Sequence, residues 1–181
     1  MKRLIPLAFV VALIGCGHSP GKTQSPVKET VPRGSIIEYG IYKAVRKGQL
    51  QDDLATTTGK VINRPVLELV EQTNRIPIKK DAYFAYQYRI LQLPAMVLIK
   101  PWIELRRVLI HPEMIRPDGS RTKGSERLIR GKVDAGQVMG WDGYAFNEDY
   151  EMVEGDWIFQ LWYQDNLLVE QKFTSYRPTG Q

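Results

Sequence analysis

The sequence has little cysteine and little histidine. Its 181 residues include one cysteine, Cys16, and two histidines, His18 and His111. A disulfide within the chain is excluded, and so is a tetrahedral zinc site built from Cys and His, which needs three or four such ligands. We therefore expect no metal and no cofactor. The sequence contains no Gly-x-Ser-x-Gly nucleophile motif with which His111, just before Pro112, could form a catalytic site. We therefore expect His111 to be structural and the protein not to be an enzyme.

A large excess of positive or negative charge is also missing. The chain carries 25 Lys and Arg residues against 20 Asp and Glu residues. Binding of nucleic acid needs basic residues clustered on one face, and the sequence shows only short pairs such as Lys79-Lys80 and Arg106-Arg107. We expect no nucleic-acid partner. With 43% hydrophobic and 25% charged residues, the composition is typical of a globular domain.

The one apolar run, Leu4 to Ile14, is too short to span a membrane, which takes roughly 20 residues. Lys2 and Arg3 precede it, as in a secretory signal peptide. The run ends in Leu13-Ile14-Gly15-Cys16, which resembles the lipobox of bacterial lipoproteins. That resemblance implies cleavage after Gly15 and a lipid on Cys16, and hence a cell-envelope protein held to the membrane by its N-terminal lipid. Because Gly17 and not Asp follows, it also implies the outer membrane, facing the periplasm, in a Gram-negative source. The alternative is a free thiol after an ordinary signal.

Composition divides the chain into three parts. Residues 1–15 are the predicted signal peptide. Residues 16–34 are the acylated cysteine and a tether, since Gly17 to Gly34 has almost no large apolar residue and cannot bury enough surface to order itself. Residues 35–178 are the predicted domain.

Alternating apolar residues in that domain predict β-strands. The clearest case is Trp157, Phe159 and Leu161, continued after a hairpin at Asp165-Asn166 by Val169 and Phe173. Phe84, Tyr86 and Tyr88 share one face, as core residues would. Only Gln49 to Thr58 suggests a short helix. Seven or eight strands without crossover helices predict an all-β antiparallel sandwich.

Carboxylates are dense between two proposed strands, at Glu148, Asp149, Glu151, Glu154 and Asp156. Two acids facing one cleft could hydrolyse a glycan, and oxygens on a loop could bind calcium. Neither spacing matches a known motif, so a solvated connection is the favoured interpretation. A small glycan-active hydrolase is the alternative.

Three aromatic residues are candidates for binding a partner: Trp162, Trp141 and Tyr144. Trp162 alternates away from the face that carries Trp157, Phe159 and Leu161, so it should face solvent or a partner. An exposed tryptophan would mark a contact site.

Several segments occur in a familiar order: Glu38-Tyr39-Gly40-Ile41-Tyr42, Ile76-Pro77, Leu93-Pro94, His111-Pro112 and Glu154-Gly155-Asp156-Trp157-Ile158-Phe159, with Phe173 closing. Over residues 35–176 the chain resembles the bacterial family called domain of unknown function 3859. Glu154 stands where that family tends to have proline. The resemblance implies an immunoglobulin-like sandwich, and no activity comes with it.

The hypothesis from sequence is a lipid-anchored envelope protein that acts as a binding or interaction module for another envelope protein or a glycan. A structural or assembly role is a further alternative, with pairing through an exposed edge strand at Ser35 to Tyr42.

Overall fold

The computed structural model describes residues 30–46, 48–63 and 66–179, which form an all-β domain of eleven strands. Most of the predicted signal peptide and tether, residues 1–29, lies outside the described residues. The strands are β1 (Arg33–Arg46), β2 (Gln49–Asp52), β3 (Lys60–Asn63), β4 (Val66–Glu71), β5 (Arg75–Pro77), β6 (Tyr83–Leu91), β7 (Trp102–Ile115), β8 (Arg121–Asp134), β9 (Gln137–Ala145), β10 (Gly155–Tyr163) and β11 (Asn166–Tyr176). A short helix, α1 (Ala95–Leu98), joins β6 to β7, and a 3-10 turn, Asp149–Glu151, precedes β10. The all-β class is confirmed, whereas the expected count of seven or eight strands is wrong, and the expected antiparallel sandwich is replaced by one curled sheet that includes a parallel pair.

Nine of the strands form one curled sheet in the order β4-β1-β6-β9-β8-β7-β10-β11-β5, and β2 pairs with β3 separately. Neighbours are antiparallel except β11 and β5, which are parallel. The pairing between β8 and β9 is short, because it contains only two residue pairs, Val133 with Val138 and Asp134 with Gln137. The sheet therefore folds over as two halves: β4-β1-β6-β9, the first half, faces β8-β7-β10-β11-β5, the second half.

Aromatic side chains fill the space between the halves. The fully buried ring of Phe84 lies 5.3 Å from the rings of Phe146 and Phe173 and 5.5 Å from Trp157, centroid to centroid. These offset and edge-on contacts suit aromatic rings. Phe159 is also fully buried, so the alternation seen in the sequence does mark the core face.

One end of the domain brings together the start of the described chain and three connections. Arg33 pairs with Leu91 there, and the segment from Gln92 to Pro101, with α1, leads on to β7. The β8–β9 turn and the β10–β11 turn close the same end. We call this the proximal end, and the opposite one the distal end.

The expected free edge at Ser35 to Tyr42 needs correction in part, because β1 has a paired strand along one side and is paired on its other side only from Ile41. β6 pairs with β1 from Arg33 to Tyr42, and β4 pairs with it from Ile41 to Arg46. Near its start β1 approaches β11, and a Cβ on Gly34 would lie 2.4 Å from the Leu168 carbonyl oxygen. The outer strands of the sheet are β4 and β5.

The segment expected to form a short helix, Gln49 to Thr58, instead forms β2 and a loop. The loop is held by tertiary contacts that local periodicity does not encode: Asp53 forms an ion pair with Arg127, and the buried Thr57 accepts a hydrogen bond from Arg116 at its carbonyl. The β10–β11 hairpin turns one residue earlier than expected, at Gln164-Asp165, with a positive φ of 51° at Gln164.

Candidate binding surface

Trp162 lies on the outer face of the second half. It alternates with the buried Leu161 near the end of β10, and its indole Nε1 donates a hydrogen bond of 3.1 Å to Gln160. The Arg106 guanidinium, on neighbouring β7, stacks 4.7 Å from the indole ring centroid. A cation over an indole holds the ring in place, and the Trp162 side chain is half-buried.

A row of outward side chains crosses the sheet at this level. The register pairs Leu128 with Arg106, Arg106 with Trp162, and Trp162 with Leu167. Leu128 is 64% exposed and Leu167 is also exposed, so the row presents apolar surface on both sides of the stacked pair. We call Leu128, Arg106, Trp162 and Leu167 the Trp162 row.

Trp141 lies on the outer face of the other half. It is on β9, is 46% exposed, and packs edge-on against Tyr42 with ring centroids 5.3 Å apart. The Tyr42 hydroxyl donates to Glu38 at 2.9 Å, and burial together with that carboxylate raises the pKa of the Tyr42 phenol. Trp141 and Trp162 therefore face away from each other on opposite halves.

Tyr144 points into the core. Its ring centroid lies 4.7 Å from that of Trp157, and burial, reinforced by the Glu151 carboxylate, raises the pKa of its phenol. The structure thus places the three aromatic candidates at three separate sites. Trp141 is exposed, whereas Trp162, on the outer face, and Tyr144, against the core, are half-buried.

The acidic segment before β10 is occupied by local partners. Glu148 and Glu151 form a reciprocal capping box around the 3-10 turn, and Glu151 is buried, accepting the amide protons of Asn147 and Glu148 at 2.6 and 3.0 Å. Burial raises the pKa of the Glu151 carboxyl.

The other three acids each have a partner of their own. Asp149 lies 3.5 Å from Lys80, Glu154 accepts from the Arg177 amide, and Asp156 pairs with Lys172 at 2.7 Å. That pair, with Thr174, lowers the pKa of Asp156. The expected solvated connection is thus correct for these three residues and wrong for the buried Glu151.

His111 is buried against Trp157, with ring centroids 5.2 Å apart. Its Nδ1 lies 2.6 Å from the Pro112 carbonyl oxygen. Burial lowers the pKa of the imidazole, which favours the neutral form. The contacts are those of a core residue.

The most buried ion pair among the described residues has no signal in the sequence. Arg107 on β7 holds Asp142 on β9 in a two-pronged contact, with Nε–Oδ2 and Nη2–Oδ1 distances of 2.9 and 3.0 Å. Both side chains are nearly buried, and the Tyr86 hydroxyl donates to the same carboxylate at 3.4 Å. The pair bridges the two halves where β8 and β9 separate.

Cavities are shallow on the described surface. One, of about 290 Å³, is lined by Tyr42, Lys43, Ala44, Asp81 and Tyr83, and a second, of about 190 Å³, by Thr30 to Pro32 and the β10–β11 turn. Neither includes an acid of the 148–156 segment. Within residues 30–179, apart from the three positions left out, no cluster of His, Cys, Asp and Glu could hold a metal ion. None of the described helices is long and apolar enough to cross a bilayer.

Comparison with known proteins gives a family and a fold. The profile of a domain of unknown function, DUF3859, matches residues 30–175. The crystal structure of an immunoglobulin-like protein from Pseudomonas aeruginosa is similar, with a TM-score of 0.55 and 22% identity over 82% of this chain and 99% of that one. The comparison with curated proteins finds no match. At this identity the likeness to the Pseudomonas protein concerns the fold.

Proposed function

Because the chain belongs to the DUF3859 family, whose name assigns no activity, we propose its function from its surface: a lipid-anchored module of the bacterial envelope that binds another envelope protein or a glycan without catalysis. The Trp162 row carries this proposal. The core is complete without these side chains, and tryptophan and arginine are among the residues most enriched where proteins bind partners. Stacking on an indole also suits a sugar ring.

The lipid anchor rests on the sequence alone. Its test is mass spectrometry of the mature N-terminus from envelope preparations. We expect a peptide that starts at Cys16 and carries the mass of the acyl groups. An unmodified N-terminus that still contains Met1 would overturn the anchor.

The binding role is tested by capturing partners from detergent-solubilised envelope. Loss of a central tryptophan typically costs at least 2 kcal/mol, or about 30-fold in affinity, so Trp162→Ala should recover correspondingly less partner. Trp141→Ala is the matched control, since it removes an exposed tryptophan from the opposite half. Equal recovery with both variants would remove the Trp162 row from the contact site.

Strand pairing is a second candidate function, favoured by the position of β4. This six-residue strand is the outermost of the first half, and Val66 and Val70 on it are exposed. An extended partner could add to such an edge by main-chain hydrogen bonds. Val70→Pro would block that addition, and the capture experiment should then lose its partner while Trp162→Ala keeps it.

A further inference from the structure

Among the described residues, a group of exposed apolar side chains lies at the proximal end. Met96 is 74% exposed and Ile99 is 85% exposed, and Leu91, Leu98 and Trp102 are also exposed. All belong to the segment from the end of β6, through α1, to the start of β7. We call these five residues the apolar tip.

The segment that carries the tip is fixed to the domain. Leu93 and Val97 are buried in the core, while Met96, Leu98 and Ile99 around them face outward. The Pro101 carbonyl accepts a hydrogen bond of 2.9 Å from the Val133 amide of β8. The apolar side chains are therefore presented by an anchored loop, and their exposure is a property of the fold.

The described chain begins beside this tip, because Arg33 pairs with Leu91. Fourteen residue steps separate Thr30 from Cys16, and a chain of that length spans at most about 50 Å. A lipid on Cys16 would therefore tether the domain by its proximal end, so that the apolar tip lies close to the point of attachment and within reach of the bilayer surface.

We infer that the apolar tip inserts into the surface of the lipid bilayer and gives the domain a second membrane contact beside its lipid. This inference rests on the proposed anchor. Trp102 suits the interface between lipid and water. The Arg130 guanidinium carbon lies 5.2 Å from the centroid of the Trp102 ring, so an apolar ring is combined with a charged group at its edge. The charged residues next to the tip are mostly basic: Arg33 lies opposite Leu91, Lys132 lies opposite Trp102, and Arg130 lies over the Trp102 ring. Their attraction to anionic lipid headgroups adds to the insertion of the apolar side chains.

The test uses the full chain reconstituted in phosphatidylethanolamine–phosphatidylglycerol vesicles that contain lipids brominated on the acyl chains. Bromine quenches a tryptophan that enters the hydrocarbon boundary. We expect quenching that disappears in Trp102→Phe and falls at least fivefold in the double variant Met96→Glu, Ile99→Glu. Val45→Glu is the matched control, since it charges an exposed apolar position at the distal end of β1 and should leave the quenching unchanged. Moderate salt should reduce the quenching without abolishing it.

Each other outcome overturns a specific statement. Protein that stays with the vesicles in alkaline carbonate while Trp102 is quenched only by aqueous acrylamide refutes the inference and leaves the anchor standing. Trp102 shielded from both quenchers means that a second copy or another part of the chain covers the tip, which also refutes it. Wild-type protein released by carbonate refutes the proposed anchor and, with it, the inference.

Discussion

Replacing Asp142 by alanine should be the most damaging single substitution at a polar residue of this domain. The carboxylate takes two hydrogen bonds from Arg107, and both side chains are about nine-tenths buried. Without Asp142 the guanidinium keeps only a long contact to Ser125, at 3.5 Å, and the face of the Phe159 ring. An uncompensated charge of this kind costs about 3–5 kcal/mol.

That loss is large against the ~5–15 kcal/mol by which domains are usually stable. With a urea dependence of ~2 kcal/mol per molar, it lowers the unfolding midpoint by about 2 M. The measurement is equilibrium unfolding in urea, followed by tryptophan fluorescence. The surface pair of Arg106 with Glu126, at 3.6 Å, supplies the control, because Glu126→Ala should cost no more than about 0.5 kcal/mol.

A double variant separates the charge from the packing. Arg107→Met with Asp142→Leu removes both charges at similar volume, and such replacements are often neutral or stabilising. We expect it to recover most of the loss seen in Asp142→Ala. If Asp142→Ala costs no more than Glu126→Ala, with an unchanged urea dependence, the pair is not the buried interaction described above.

Three further predictions concern the core and its closure. Gly34→Ala places a methyl group 2.4 Å from the Leu168 carbonyl oxygen and should cost about 1–3 kcal/mol in urea unfolding; an unchanged midpoint would contradict the close approach of β1 to β11. Ser175→Ala leaves the buried indole N–H of Trp157, which donates to Ser175 at 3.0 Å, without an acceptor, and thermal unfolding should show a loss of about 1–3 kcal/mol. Burial lowers the pKa of His111, so its contribution to stability is present above about pH 6.5 and is lost as the pH falls through its folded-state pKa. The free energy of unfolding should therefore fall between pH 7 and pH 5, and His111→Gln should reduce that fall; equal slopes for both proteins would show that this imidazole does not titrate on unfolding.

The strands and the core face were predictable because they depend on neighbours in sequence. Alternation alone placed Trp157, Phe159 and Phe84 inside, and all three are fully buried. The same rule placed Trp162 on the opposite face of its strand, where it lies.

Features that depend on distant segments were not predictable. Arg107 and Asp142 are 35 residues apart, and nothing in either strand shows that β7 and β9 face each other. Glu151 looked like one of five solvated acids, yet the 3-10 turn directs it inward to two backbone amides. The misassigned helix at Gln49 to Thr58 has the same origin, since Asp53 and Thr57 are held by arginines more than 50 residues away.

The long pairing of β1 with β6 determines how the domain responds to tension. A pull on the chain ahead of Thr30 acts along the axis of β1, whereas the hydrogen bonds to β6, from Arg33 to Tyr42, lie across that axis. The hydrogen bonds then share the applied force in shear and must break nearly together. A force directed across the strands would instead break them one after another. A force applied along β1 is thus resisted by the whole length of its pairing with β6.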